Sequence, residues 1–324
     1  MANPRVTFAS GLYDRMLPLY TGDVKPEGID LEFIRIESPR EIFDRMAGKM
    51  EFDVAEFSCS EFISRMAVGD RSFVAIPVFA SRVFRHGMIT VNRKLITKPK
   101  DFEGKRIGVP LYTMTAALFI KGHLQRDYGV DLSGITWVQG AINGESTHGN
   151  PTVMPLVKPV KIEKKPEGRT LSDMISDGEI AGIIGTTLPL SMKTNPDVVR
   201  LFPNYREIEK DLWRTKRIFP IMHLIAIRRE VYEKNPFIAQ SLYDAFVKAK
   251  KLALEKMYYI GALRYMLPWL PADLDEIDEV FGGDPWPYGL EPNRPTLEAL
   301  NQYMEDQYLI AKKINLDDLF VLKG

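Results

Sequence analysis

Residues 53–61 read Asp-Val-Ala-Glu-Phe-Ser-Cys-Ser-Glu, a short apolar strand that runs directly into a helix start. Ser58 and Glu61 have the spacing of a capping box, in which two side chains satisfy free amides at the first turn of a helix. The stretch Ser38-Pro39-Arg40-Glu41 repeats this pattern upstream, with proline at the first helical position. Other segments are typical of buried strands: Arg5–Ala9, Leu31–Ile36 and Phe73–Phe79. This alternation predicts a mostly parallel sheet covered by helices.

The same alternation continues through the rest of the chain. Further strands are predicted at Gly87–Asn92, Ile135–Gln139, Ala181–Ile184 and Ile221–Ile227. Helices are predicted at about Thr115–Tyr128, Pro236–Tyr259 and Thr296–Lys312. Residues 140–168 are rich in Gly, Pro, Asn and Lys, which indicates a long surface excursion.

Length and charge narrow the class of protein. The chain has 324 residues, more than one domain usually holds, which predicts two compact lobes. Its 43 basic and 43 acidic side chains give a formal net charge of zero. Nucleic acids and anionic membranes are bound by clustered positive charge, so neither is an expected partner. A small molecule is the expected ligand, and the sequence leaves homo-oligomer formation open.

Cysteine usage and motif content exclude several chemistries. Cys59 is the single cysteine, so an intrachain disulfide and a multi-cysteine metal site are ruled out. The first residues lack the apolar core of a secretory signal, and no uncharged stretch reaches the ~20 residues that span a bilayer. We therefore expect a cytoplasmic protein without a membrane segment. The nucleotide-binding glycine loops, Gly-x-Ser-x-Gly and His-Glu-x-x-His are all absent.

Polar residues follow the predicted strands at their carboxyl ends. Residues 10–15 follow the first strand, residues 55–58 the third, and residues 80–86 the fourth. Further along, residues 110–115 open a helix, and residues 185–187 follow a strand. The carboxyl ends of parallel strands line the ligand crevice of open α/β sheets. Two lobes are therefore expected to present these groups to one cleft.

Several of these segments resemble the 4,5-dihydroxyphthalate decarboxylase family, and the resemblance covers nearly the whole chain. It is most specific at Arg82-x-Phe84-Arg85-His86-Gly87 and at Trp286-Pro287-Tyr288-Gly289-Leu290-Glu291-Pro292-Asn293-Arg294. It also includes Asp53–Ser58, Phe73–Phe79, Gly168–Leu171 and Phe219–His223.

The resemblance implies a two-lobed type II periplasmic-binding-protein-like fold, in which each lobe is a mostly parallel sheet flanked by helices. Residues 1–90 and 221–324 would form lobe I and residues 91–220 lobe II, with the ligand cleft between them. The hinge strands would lie near Gly87–Asn92 and Pro220–Ile227. The implied activity is the non-oxidative decarboxylation of a hydroxylated aromatic carboxylate, 4,5-dihydroxyphthalate or a close relative. A solute-binding protein that holds a small aromatic or anionic ligand without catalysis is the alternative.

The implied reaction assigns roles to particular side chains. It proceeds by ring protonation and loss of carbon dioxide, which requires a base, a proton donor and cations that hold carboxylate. The candidate proton donors are His223 and His86, since histidine exchanges protons near neutral pH, and Glu56 is the candidate base. Guanidinium groups match the two oxygens of a carboxylate. The expected substrate contacts are Arg15, Arg82, Arg85, Tyr13, Ser58, Tyr112, Thr113, Thr115, Thr187, Glu291 and Arg294.

Structural roles stay open for some of these residues. Either histidine could bond to backbone at a crossover, Glu56 could pair with an arginine, and Glu291 and Arg294 could pin their own loop. At Thr186 and Thr187 the chain also departs from the family, in which an arginine often stands shortly before the proline. Without this guanidinium the cleft has one group fewer to bind a carboxylate, which affects the identity of the acid that the protein binds.

The reaction implies no organic cofactor. A divalent metal held by Glu56, His86, His223 and Glu291 is the less favoured alternative, because the separations of these residues in the chain match no metal-binding pattern.

Overall fold

Strands and helices alternate along the chain in the computed structural model, which describes residues 3–144, 153–322 and 324. The strands are β1 (Arg5–Ser10), β2 (Asp30–Arg35), β3 (Val54–Ser58), β4 (Phe73–Arg82), β5 (Ile89–Asn92), β6 (Arg106–Val109), β7 (Thr136–Gln139), β8 (Ile162–Lys164), β9 (Gly182–Ile184), β10 (Val198–Arg200) and β11 (Ile221–Arg228). The helices are α1 (Leu17–Thr21), α2 (Pro39–Lys49), α3 (Cys59–Ala67), α4 (Thr115–Arg126), α5 (Leu171–Ser176), α6 (Tyr205–Lys216), α7 (Arg229–Lys234), α8 (Phe237–Tyr258), α9 (Leu270–Phe281) and α10 (Arg294–Asp306).

These strands form two sheets. In the described part of the chain, one sheet has five strands in the order β2-β1-β3-β11-β4, and the other has six in the order β10-β5-β9-β6-β7-β8. β11 runs antiparallel to β3 and β4, and β5 runs antiparallel to β9 and β10. The other described pairings are parallel. The predicted α/β architecture of two sheets with flanking helices is therefore confirmed, and both sheets are mixed, with five parallel and four antiparallel pairings among the described strands.

The chain passes from one sheet to the other at β5 and at β11, the two described strands that run antiparallel to both of their neighbours. The chain leaves the five-stranded sheet after β4 and enters the six-stranded sheet with β5; it returns with β11. These are the segments in which the sequence predicted the hinge strands. The exact lobe boundaries stay a prediction.

Local sequence explains where the first helices begin. The hydroxyl of Ser58 accepts a hydrogen bond from the Glu61 amide at 3.5 Å, and that of Ser38 accepts one from the Glu41 amide at 3.4 Å. α3 and α2 therefore start where the sequence predicted. α4 differs, because its N-cap residue Met114 makes no side-chain hydrogen bond to the first turn.

Three segments differ from the sequence-based prediction. The strand expected from Gly87 begins at Ile89, because His86–Met88 form a 3₁₀ turn. The expected surface excursion contributes strand β8, which pairs with β7, while its residues 145–152 lie outside the described residues. The last helix ends at Asp306, shortly before Tyr308 takes a left-handed φ of 65°.

Helix α10 joins the two halves of the molecule. It packs against α4 and also contacts α3. Arg126 of α4 makes two hydrogen bonds of 2.7 Å to the carboxylate of Asp306, and Gln307 donates to the Leu118 carbonyl at 3.0 Å. Buried residues from both sheets belong to one continuous apolar cluster. Within the described residues, no helix is long and apolar enough to cross a membrane.

Candidate active site

A cavity of about 580 Å³ lies between the two sheets. One side is lined by residues at the ends of β1 to β4 and on β11, and the other by residues that follow β6, β7 and β9. Its volume falls within the range of small-molecule sites. Its polar lining consists of Tyr13, Ser38, Arg40, Ser58, Glu61, Ser81, Arg85, Thr113, Thr115, Asn143, Thr186, Thr187 and His223.

A histidine and a buried carboxylate form one wall of this cavity. His223 Nδ1 lies 2.5 Å from Glu56 Oε1, and the Glu56 side chain is completely buried. The Tyr13 hydroxyl donates to the same oxygen at 3.0 Å, and the Ser10 hydroxyl donates to Oε2 at 3.0 Å. The structure thus brings together two of the predicted catalytic residues, with Tyr13 as a third member of the network.

The charge on Glu56 fixes the proton on His223. Burial alone would raise the pKa of Glu56, but the hydrogen bonds from His223, Tyr13 and Ser10 outweigh it and hold the pKa below its ordinary value. An ionised carboxylate only accepts hydrogen bonds, so Nδ1 of His223 carries a hydrogen. The other ring nitrogen, Nε2, is the one left to exchange a proton with a ligand.

Strand irregularity explains how His223 reaches the cavity. On β11 the pairing with β4 shifts register on both sides of His223. Such bulges re-aim side chains, and here both Met222 and its neighbour His223 line the cavity. The ring of Phe43 packs edge-on against the His223 imidazole, with centroids 4.9 Å apart, and restricts its orientation.

Arg85 presents a positive charge to the cavity, with Glu209 as its neighbouring carboxylate. Its side chain lines the cavity, the residue is 6% exposed, and its Nε has no hydrogen-bond partner among the described residues. Burial lowers the pKa of Arg85 to about 10, with Glu209 opposing that shift, so the guanidinium remains charged at neutral pH. Glu209 offsets part of the cost of burying this cation, but no ion pair within 4.0 Å joins Arg85 to a described carboxylate, so the guanidinium can still bind an anionic ligand.

The start of α4 adds neutral and dipolar donors. Thr113 Oγ1 is buried without a partner among the described residues, while Thr115 Oγ1 lies 2.9 Å from Ser60 Oγ and 3.2 Å from Ser58 Oγ. Because no side chain caps the first turn of α4, its amides remain available to an anion. Thr186 and Thr187 face the same cavity.

Arg40 lines the cavity but was not among the site residues predicted from the sequence. Its guanidinium lies 2.6 Å from Asp44 and 3.3 Å from Glu61, and its Nε is without a partner in the described part of the chain. The signal was present, since Arg40 stands in the predicted helix start at residues 38–41. Helix starts that follow parallel strands face the ligand crevice, so this arginine was a candidate.

Two of the three predicted carboxylate-binding arginines do not line the cavity. Arg15 donates to the Ala80 carbonyl and lies between the rings of Tyr13 and Trp286, 4.5 Å from each centroid. Arg82 is buried and donates to the backbone carbonyls of Phe219 and Pro287, at 3.0 and 3.3 Å. Both guanidiniums are bonded to backbone carbonyls, that of Arg15 to one in β4 and that of Arg82 to two outside the strands and helices, which no local sequence pattern specifies.

Three further residues that were predicted to contact the substrate also lie outside the cavity lining. Tyr112 is buried with its ring over Lys121 Nζ, 3.1 Å from the centroid, and does not line the cavity. Glu291 and Arg294 pair with each other at 2.5 Å, and Arg294 also pairs with Asp317 at 2.9 Å. Their geometry therefore agrees with the alternative interpretation, in which Glu291 and Arg294 form an ion pair that stabilises their own loop.

His86 lies away from His223. It is buried in an aromatic cluster, with its ring centroid 4.8 Å from that of His123 and 5.7 Å from that of Phe202, and does not line the cavity. Its Nδ1 has no partner among the described residues. Burial, together with the neighbouring His123, lowers the pKa of His86 to about 3. The 3₁₀ turn at residues 86–88 places this side chain in the core instead of the cleft.

The proposed four-residue metal set is not assembled. Glu56 and His223 are in contact, but His86 and Glu291 lie outside the cavity lining. Within the described ranges, no three His, Cys, Asp or Glu side chains are grouped as a metal site.

The buried state of His86 predicts a pH dependence of stability. In the unfolded chain this histidine takes up a proton below about pH 6.5, whereas in the folded protein it does so only near pH 3. Its contribution to stability is therefore complete above pH 6.5 and is lost as the pH falls toward 3. Between about pH 7.5 and about pH 5, His86→Phe should lose less unfolding free energy than the wild type, by on the order of 2 kcal/mol. Urea unfolding at both pH values measures the difference, and equal losses in the two proteins would contradict it.

The fold and the cavity define the class of protein. The described strands form two mixed sheets joined by two crossovers, with a polar cavity between them, as in the periplasmic-binding-protein fold. The periplasmic sulfonate-binding protein SsuA from Methylobacillus flagellatus shares this fold with a TM-score of 0.55, at 13% identity over 98% of this chain and 91% of that chain. At that identity the likeness concerns the fold alone.

Sequence comparison gives the family. A 4,5-dihydroxyphthalate decarboxylase from Comamonas testosteroni is 33% identical over 322 residues, which is 99% of this chain and 97% of that protein. A 4,5-dihydroxyphthalate decarboxylase from Pseudomonas putida is 35% identical over 211 residues, or 64% of this chain and 81% of that protein. No protein-family model matches the sequence. The chain belongs to the 4,5-dihydroxyphthalate decarboxylase family.

Proposed function

We propose that this protein is a carboxy-lyase that removes one carboxyl group from 4,5-dihydroxyphthalate or a closely related hydroxylated aromatic acid. The observation that carries the proposal is the cavity wall itself, where the His223–Glu56 pair faces the same space as the Arg85 guanidinium, whose Nε has no hydrogen-bond partner among the described residues. One group moves a proton and the other holds an anion. Together they supply the two functions that decarboxylation by ring protonation requires.

Arg85 binds the carboxylate that the product keeps. Its guanidinium offers paired donors to two carboxylate oxygens, and the free amides at the start of α4 add to the positive potential. Arg40 contributes less, because Asp44 and Glu61 already neutralise much of its charge. The carboxylate that leaves should not be bound tightly by a cation, because binding its charged form stabilises the ground state more than the transition state.

His223 donates the proton that starts the reaction. The proton leaves Nε2 and forms a carbon–hydrogen bond at the ring carbon that bears the departing carboxylate. The hydroxyl para to that carbon stabilises the protonated ring. The bond to the carboxylate then breaks, carbon dioxide leaves, and the bonding electrons restore the aromatic ring. His223 regains its proton from solvent.

Glu56 and Tyr13 act through His223. Glu56 is completely buried and its oxygens already accept hydrogen bonds, so it orients the imidazole and stabilises its protonated form. This differs from the role of base that the sequence suggested. We also propose that the reaction needs neither an organic cofactor nor a divalent metal. A cytoplasmic location is consistent with Cys59, which is buried as a free thiol.

A panel of acids tests the proposed function. The purified protein should convert 4,5-dihydroxyphthalate to equal amounts of carbon dioxide and 3,4-dihydroxybenzoate, read by product mass. Unsubstituted phthalate should not react, because no ring hydroxyl stabilises the protonated carbon. In deuterium oxide the product should carry one deuterium on its ring, and dialysis against EDTA should leave the rate unchanged.

Each arm of this panel has a contradicting result. Recovery of every acid unaltered, with tight binding of one of them, would overturn the enzyme assignment in favour of a solute-binding protein. A product without ring deuterium would contradict ring protonation. Loss of activity in EDTA that a divalent cation restores would contradict the metal-free reaction.

A further inference from the structure

An exposed apolar ridge, residues 259–269, joins α8 to α9. Met266 is fully exposed and Trp269 is 77% exposed, although both are large apolar side chains. Tyr259, Ile260, Leu263 and Leu267 are exposed beside them. Arg264 is the single charged residue in the segment. A soluble protein rarely leaves so many apolar side chains in one stretch open to water, so this ridge indicates an interaction surface.

An apolar groove lies on the same side of the molecule. It has a volume of about 370 Å³, and its walls are formed by α8 and α9, the two helices that the ridge connects. Met257, Phe281 and Trp286 are among its lining residues. Burial raises the pKa of Tyr265 in the ridge, and the neighbouring carboxylate of Asp14, which lines the groove, adds to that shift. Ridge and groove are therefore adjacent parts of one apolar face.

We propose that this face binds the same face of a second copy of the chain in a two-fold dimer. A protruding ridge beside a groove of matching chemistry is self-complementary, and a two-fold axis lets each ridge enter the partner's groove at once. Apart from the charged residues Asp14, Arg15 and Lys250, the groove is lined by apolar residues, which suit the apolar side chains of the ridge.

The exposed area agrees with this occupant. A large aromatic side chain covers on the order of 150–250 Å². Two of the six exposed side chains of the ridge are aromatic, and the six range from 43% exposed at Leu263 to fully exposed at Met266. Their combined exposed area is therefore on the order of the ~800 Å² that one partner contributes to a stable protein interface. A membrane is the less suitable partner, because surface-binding segments combine their apolar side chains with several basic ones. The ridge has Arg264 alone.

Sedimentation velocity of the 324-residue protein tests the dimer. The wild type should sediment with twice the 37.0 kDa of one chain, and Trp269→Asp or Met266→Asp should halve the observed mass. Val68→Asp is the matched control, because Val68 is 63% exposed but lies at the end of α3, away from the ridge. It should keep the wild-type mass. Circular dichroism melts show whether each variant remains folded.

The outcomes are distinguishable. A mass that is halved in Trp269→Asp but not in Val68→Asp supports the two-fold interface, also if the wild type forms a larger assembly. A wild type that sediments as a single chain would overturn the proposal, and co-sedimentation of that single chain with phosphatidylcholine vesicles would assign the ridge to membranes. A Trp269→Asp variant with the wild-type mass would overturn it as well.

Discussion

The His223→Ala variant should lose on the order of 10²–10⁴-fold in kcat toward 4,5-dihydroxyphthalate, the range typical of a general acid, with KM changed by only a few-fold. The imidazole lines the cavity and has one nitrogen fixed against Glu56, so the alanine variant lacks the proton donor but keeps Arg85. Steady-state kinetics by product mass, together with a thermal melt, measure the effect.

The matched control for this prediction is His86→Phe. His86 is the other histidine that the sequence proposed as proton donor, yet it lies in an aromatic cluster away from the cavity lining. Phenylalanine preserves the ring contacts and removes an unpartnered nitrogen. The control should keep its kcat within about two-fold, since it alters no cavity group. Full activity in His223→Ala, or a loss in His86→Phe as large as that of His223→Ala, would show that the proton donor has been assigned to the wrong residue.

Arg85→Gln should raise KM for 4,5-dihydroxyphthalate by about 100-fold while lowering kcat by less than about 10-fold. A carboxylate that is kept throughout the reaction contacts Arg85 in the ground state and the transition state alike, so its loss weakens binding more than chemistry. The melting temperature should change little. Removal of the buried guanidinium relieves a desolvation cost, while Glu209 loses its cationic neighbour, and the two effects oppose each other.

Arg294→Gln serves as the control arginine. Its guanidinium pairs with Glu291 and Asp317 outside the cavity lining, so KM and kcat should match the wild type. Equal KM values for Arg85→Gln and the wild type would remove Arg85 from the substrate site. A rise in KM for Arg294→Gln would place the loop after Trp286 in contact with the substrate.

The sequence predicted the architecture because its signals are local. The serine caps of α2 and α3 and the apolar strands are specified within a few residues, and the structure confirms them. The crossover strands came from the family resemblance, and they coincide with β5 and β11.

The positions of individual side chains were harder to predict, because they depend on backbone groups that are distant in the sequence. Arg82 and Arg85 are three residues apart in one motif, yet Arg82 donates to carbonyls of Phe219 and Pro287 while Arg85 faces the cavity. Nothing in the motif distinguishes them, since those carbonyls come from segments more than 100 residues away. The Glu291–Arg294 pair, by contrast, is separated by a single helical turn and was foreseeable.

The position of α10 limits how far the two halves of the molecule can move relative to each other. Transport receptors of this architecture close around a ligand as one half swings against the other about hinge strands. Here α10 contacts α3 on one half and is bonded to α4 on the other through Asp306 and Gln307, so a wide swing would have to break those bonds and expose apolar core. We therefore expect the two halves of this protein to move less around the cavity during turnover than the halves of a transport receptor do.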